Sequence, residues 1–510
     1  MSTRAPLVIV QCDAFDPALT RQWMDEGHLP TLAALRDRGS VASIGGAEHI
    51  AELGLALSAY SGLSRSRHGY YDYRQLRPGT YDLYPAAPSD AAVRPFWATL
   101  NGRRVVTLDA GETMPVPGLE GTQLMNWTAH QSATRVEPPT AIPTDVLVRA
   151  RRAFGAPTRI NEFLVDSTPA DDRPILAALL DRVRRKGELC RTLARDGADV
   201  LVVGFFEGHT AGHRFWKYQQ GRASDAELRL ALRRVYAAID HEIGLLVATA
   251  PAPNVAVLSF FGMHDEYPSE GLMESFCRRL GYQASPGALP QASAEQRRSV
   301  GDVVRGLMPP SMRTAISRRL PHGVQEKLLA RAFRDGTDWN RTIAFNIPSL
   351  YTGHIRVNVR GREPQGIVDP GQEYRDVLDR IEADLRQLED PLTSTLVVRA
   401  VHRTERSFGE SPPSQLPDLF VEWEPTPMFR SQVVHPRGVL RQEPPAYFRD
   451  SYHSLEGLAI FAGPGVRASR DPIAIDLLDL APTFLSLLGA PIPREMTGTP
   501  STAVTDVARS

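Results

Sequence analysis

Val200-Leu201-Val202-Val203-Gly204-Phe205-Phe206-Glu207-Gly208-His209-Thr210-Ala211-Gly212-His213 decides how the rest of the chain is read. Its first half is apolar without alternation, the pattern of a central parallel strand covered on both faces. Its second half places a glutamate and two histidines directly after that strand. In open α/β sheets, ligands bind just beyond the carboxyl ends of the strands. Glu207, His209 and His213 therefore fall where a metal or substrate would sit. Glu-x-His-x-x-x-His is a compact donor set of the kind metal sites use. A surface turn leading into a helix is the plainer reading of the same residues.

The rhythm repeats on both sides of this stretch. Leu7 to Cys12 is an apolar run that ends at Asp13, and Arg104 to Leu108 is one that ends at Asp109. Ser40 to Ile44, Val255 to Phe260 and Leu458 to Phe461 are further buried strands. Leu29 to Arg38, Ile175 to Asp196 and Asp225 to Thr249 have the apolar spacing of helices. Such alternation predicts an α/β fold, a mostly parallel sheet with helices on both faces. Residues 112–171 read as loop-rich. Residues 268–350 break the rhythm with basic helices and predict a mainly helical inserted cap. The core is then one discontinuous domain, residues 1–267 and 351–510, which draws its later strands from His354 to Val359, Leu396 to Val401 and Leu419 to Glu422.

Charge excludes some partners. With 58 Lys+Arg against 59 Asp+Glu the net charge is −1, which gives no basis for a nucleic acid or an anionic membrane as partner. Three widely spaced cysteines imply no disulfide framework. No stretch resembles a signal peptide or reaches membrane-spanning length, so a soluble cytoplasmic protein is expected.

Several segments taken in order resemble the type I phosphodiesterase/nucleotide pyrophosphatase family of the alkaline phosphatase superfamily. They are Asp13, His28-Leu29-Pro30-Thr31-Leu32, Ser61-Gly62 through His68-Gly69, and Gly212-His213. His453-Ser454-Leu455-Glu456-Gly457, Gly463-Pro464-Gly465 and Asp479-Leu480-Ala481-Pro482-Thr483 complete the set. The resemblance implies an alkaline phosphatase-like fold and two-metal transfer chemistry at an anionic ester, with a Thr or Ser nucleophile.

Departures from that pattern alter the expected site. His209 stands where the family has a metal-binding Asp. Counting back from Gly62, the nucleophile position falls on Glu52, and the nearest hydroxyls, Ser43 and Ser58, are out of register. Phe260-Phe261 replaces an Asp-His pair of ligands, with His264 and Asp265 just beyond as possible compensation or substrate contacts. One metal site keeps His209, His213 and His453, a set that suits one zinc ion with an open position. Asp13 and Glu52 remain for a second, doubtful ion. Glu207 is a candidate to orient one of the histidines. Asp13 as a cap, Glu52 as an exposed helix residue and His68 as a packing residue stay open as structural alternatives.

The arginines of His354-Ile355-Arg356-Val357-Asn358-Val359-Arg360-Gly361-Arg362, a run similar to predicted bacterial phosphodiesterases, are either anion-binding or structural. Two functions follow. One is a metal-dependent hydrolase or transferase of a small phosphate, phosphonate or sulfate ester, with Glu52 as base or nucleophile. The other is a catalytically inactive protein of the same fold, used for ligand binding or assembly. Nothing in the sequence fixes an oligomeric state.

Overall fold

The computed structural model describes residues 5–128, 137–158, 160, 167–286, 322–444 and 449–505. Among the described residues, nine strands make the central sheet. Their order is Ile473–Asp476, Gly39–Gly45, Gly457–Ala462, Asn254–Ser259, Leu7–Cys12, Val200–Phe205, Arg104–Leu108, Glu120–Met125 and Thr140–Ile142. All run one way except Gly457–Ala462 and Thr140–Ile142. The four middle strands are buried at every position, which is why their sequences show no alternation. Helices cover both faces, so each fully buried Val or Leu here contributes about 1.5–3 kcal/mol.

One reversed strand matters for the site. Gly457–Ala462 is antiparallel to Asn254–Ser259, with Leu458 opposite Ser259. Its amino end therefore lies at the carboxyl edge of the parallel strands. The segment entering it, which contains His453, emerges beside the residues that follow Cys12, Phe205 and Ser259.

Within residues 268–350, expected as a mainly helical cap, the described residues hold helices Glu270–Arg279 and His322–Asp335 and the strand Ala344–Ile347, and residues 287–321 lie outside the described ones. Ala344–Ile347, Gly353–Val357, Leu419–Trp423 and Val398–Arg403 form a separate antiparallel sheet. Helices Glu270–Arg279 and Gln372–Leu385 belong with it, around a cluster of buried residues that runs from Leu272 to Leu440. The excursion from the central sheet thus lasts from Ser259 to Gly457, well past residue 350. Strand signal in a sequence marks a strand, not the sheet that will accept it. The loop-rich reading of 112–171 misses Glu120–Met125, which has a single β-branched residue, and Thr140–Ile142, which is only 3 residues long.

Candidate metal centre

Helix Glu207–Gln219 starts directly after the strand Val200–Phe205. His209 and His213 are four residues apart and so share one helical face. Beside that face two glycines let the helix approach its neighbours closely, Gly208 the loop after Leu7–Cys12 and Gly212 the segment after Asn254–Ser259. A Cβ on Gly208 would lie 2.7 Å from Phe15 Cε1 and 2.9 Å from the Asp13 carbonyl oxygen; one on Gly212 would lie 2.9 Å from Met263 Sδ.

His453 completes a triangle. Ring centroids are 4.7 Å apart for His209–His213, 4.6 Å for His209–His453 and 4.8 Å for His213–His453. Candidate donor atoms of the three lie within 4.8 Å of one another, and all three rings are buried. Two Nδ1 atoms are turned toward acceptors: His209 Nδ1 is 3.0 Å from Asp13 Oδ2, and His213 Nδ1 is 3.0 Å from the Ser451 carbonyl oxygen. Such contacts fix the tautomer that leaves Nε2 as the donor to a metal.

His453 Nδ1 lies 2.6 Å from Glu52 Oε2, close but without the alignment of a hydrogen bond, and its Nε2 has no hydrogen-bond partner. Burial pulls the His453 pKa down to about 4 despite the attraction of Glu52, which keeps the ring in the neutral, metal-binding form. A buried imidazole with no aligned hydrogen bond leaves polar atoms unsatisfied, at a cost a bound cation would remove. The donor set fits one zinc-class ion.

The other expected residues divide into two groups. Asp13 and Glu52 lie behind the histidines rather than among the converging donors. Asp13 is held in place by Gln11, whose Nε2 donates to Asp13 Oδ1 at 3.1 Å. Gln11, a lone amide in an apolar strand, was the sequence signal for this support. Burial, together with the nearby Glu52 carboxylate, raises the Tyr452 pKa well above its ordinary value.

Glu207, His264 and Asp265 turn elsewhere. Glu207 pairs with Arg182 at 3.3 Å and Lys186 at 3.4 Å, on the opposite side from the histidines. These cations outweigh burial and hold its pKa below the usual carboxylate range. His264 Nε2 is 2.7 Å from Glu266 Oε2, and Asp265 Oδ1 is 2.8 Å from Arg222 Nη2. Their backbones serve the site instead, because His264–Asp265 pairs with Ser451–Tyr452, next to His453. Phe261 does not leave an opening for compensation: its ring is 4.4 Å from that of His453 and 6.3 Å from that of His209.

The arginine run is structural. Arg356 is paired with Glu363 at 2.7 Å and donates to the Ser414, Gln415 and Leu416 carbonyls. Arg362 is paired with Asp418 at 2.7 Å and Arg360 with Asp369 at 2.6 Å.

No protein-family model matches the chain, and no curated protein matches it. Among solved structures, phosphonoacetate hydrolase from Sinorhizobium meliloti 1021, in complex with phosphonoformate, is similar. The match covers 96% of each chain at 14% identity, with a TM-score of 0.48. Murine ectonucleotide pyrophosphatase/phosphodiesterase 5 is similar over 98% of each chain at 12% identity, with a TM-score of 0.45. The likeness is one of overall chain course, at identities too low to carry residue roles across. No helix among the described residues is long and apolar enough to cross a membrane.

Proposed function

We propose that this protein is a metal-dependent hydrolase or transferase of small anionic phosphate, phosphonate or sulfate esters, working with one divalent ion. The observation that carries the reading is the buried convergence of His209, His213 and His453. A zinc-class ion held there supplies Lewis acidity toward an ester oxygen and acidifies water near neutral pH. The ester class rests on the ordered motif resemblance. Packing of Phe261 on His453 supports a single ion, since an apolar ring fills the flank where the resemblance places two further ligands.

In this reading the chain's own residues do the following. Asp13 holds the His209 ring by Nδ1, and the Ser451 carbonyl holds His213. Glu52 stands against His453 Nδ1 and sets that ring's orientation, a positioning role rather than that of a nucleophile. Three free, buried cysteines fit a cytoplasmic location. One observation favours an inactive binding protein instead: Phe260 and Phe261 are both buried where a two-ion site would need charge.

Metal content separates these readings. Mass spectrometry of the purified protein is expected to find about one equivalent of zinc-class metal, lost in both His209→Ala and His453→Ala. A metal-free wild type would overturn the proposal, and two equivalents would overturn the single-ion form of it. Chromogenic phosphate monoesters, diesters and sulfate esters then test for turnover, whose absence would leave the binding protein.

A further inference from the structure

The segment from Glu48 to Gly54 has almost no regular structure, yet it must hold Glu52 against a buried imidazole. Arg65 grips it from one side. This side chain is fully buried, and its guanidinium donates to three carbonyls of the segment: Nη2 to Glu48 at 3.1 Å and to Ala51 at 2.9 Å, and Nη1 to Leu53. Arg65 is itself tied back, since its backbone N–H donates to the Glu48 carboxylate at 3.0 Å and its Nε lies 3.5 Å from Glu48 Oε2. From the other side, Glu112 accepts from the Gly54 N–H at 2.8 Å and the Leu57 N–H at 3.0 Å. Gly54, at φ +95°, is where the chain changes from one grip to the other; a Cβ there would lie 2.6 Å from the Tyr70 carbonyl oxygen.

A guanidinium taken wholly out of water is costly unless its hydrogen bonds are met. Here they are spent on the carbonyls of residues 48, 51 and 53, which straddle Glu52, while the Glu52 carboxylate is left for His453. We infer that Arg65 and Glu112 are positioning residues that clamp residues 48–54 so that Glu52 orients His453 for metal binding. The inference rests on the one-ion reading above. Neither residue touches the histidine cluster, so both act on it through Glu52.

A double-mutant cycle with Co²⁺ as the probe tests this. Affinity is measured by chelator competition and by the visible absorption of the bound ion, with circular dichroism melts confirming that each variant folds. Arg65→Lys and Glu112→Gln are each expected to weaken Co²⁺ binding by about 10–100-fold, as loss of a supporting partner does. Each is expected to alter the Co²⁺ spectrum. Placed on a Glu52→Ala background, either change is expected to add almost nothing. An equal loss on both backgrounds would overturn the clamp and show only general destabilisation. Unchanged affinity in Arg65→Lys and Glu112→Gln, with a loss in Glu52→Ala, would overturn it as well. Failure of wild type to bind Co²⁺ would be the distinct result that removes the metal reading, and the clamp with it.

Discussion

Ser58 and His68 have the spacing of a nucleophile and its base, with Ser58 Oγ 2.9 Å from His68 Nε2. The proton runs the wrong way for that role. The Tyr70 N–H donates to His68 Nδ1, so the ring's proton sits on Nε2 and is donated to Ser58. Ser58 in turn donates to Glu48 Oε2 at 3.1 Å. A hydroxyl that receives the imidazole proton cannot be activated by that imidazole, and its own proton goes to a carboxylate that already accepts from the Arg65 backbone N–H. Ser58→Ala is therefore expected to leave turnover nearly unchanged while costing about 1–3 kcal/mol, because His68 and Glu48 lose a buried partner. Steady-state kinetics beside urea denaturation checks both halves, and a loss of turnover in a well-folded variant would refute the structural role. At this scale the sequence exposed the histidines, through their spacing after a strand. It hid Arg65 and Glu112, because a side chain bonded to backbone groups leaves no pattern of partner residues to recognise.

Helix Glu207–Gln219 acts as one rigid carrier of His209 and His213, and its placement depends on Gly208 more than on Gly212. Beside Gly208 stand a backbone carbonyl and an aromatic edge, neither of which moves easily; beside Gly212 is the flexible side chain of Met263. Gly208→Ala is expected to push the helix off the Asp13 loop, costing about 1–3 kcal/mol in overpacking and weakening metal binding at least tenfold. Gly212→Ala is expected to be the milder change in both. Thermal melts and chelator competition on the two variants give the comparison; equal effects would mean that helix placement is not set at Gly208. The strand before this helix was legible because full burial writes an unbroken apolar run. Glu120–Met125 was not, since Gly121, Thr122 and Gln123 inside it carry no such run.

Across the whole molecule, the site is assembled where a long excursion of the chain returns to the sheet edge it left. The chain leaves at Ser259, builds a second sheet, and comes back at Gly457 as the neighbour of the strand it left. A rhythm of strands and helices shows that such units exist but cannot say which strands will pair, and Gly353–Val357, Val398–Arg403 and Leu419–Trp423 pair in a sheet apart from the central one. Bringing these parts together also buries ionisable groups, and their titration is a property of the fold as a whole. Burial raises the pKa of Asp72 and of Glu112 to about 7 in each case, against the hydrogen bonds that favour their charged forms. Burial lowers His49 to about 4 and His68 and His354 to about 3. The signs differ. A histidine with a lowered folded pKa costs stability only as pH falls below its unfolded value, near 6.5. A carboxyl with a raised folded pKa holds its proton more tightly in the folded chain, so its contribution is fully present below the unfolded value and fades as pH rises through 7. Above about pH 6.5 the histidines therefore drop out and the carboxyls remain. Stability is expected to fall from about pH 6.5 to just above 7, with a slope below about 1.4 kcal/mol per pH unit for each carboxyl that dies away at higher pH. Glu112→Gln is expected to flatten part of that slope, since it removes one of the two groups while keeping an acceptor for the Gly54 N–H. Urea denaturation of the two proteins across this range gives the slopes directly, and identical slopes would show that Glu112 ionises in the folded protein as it does in water.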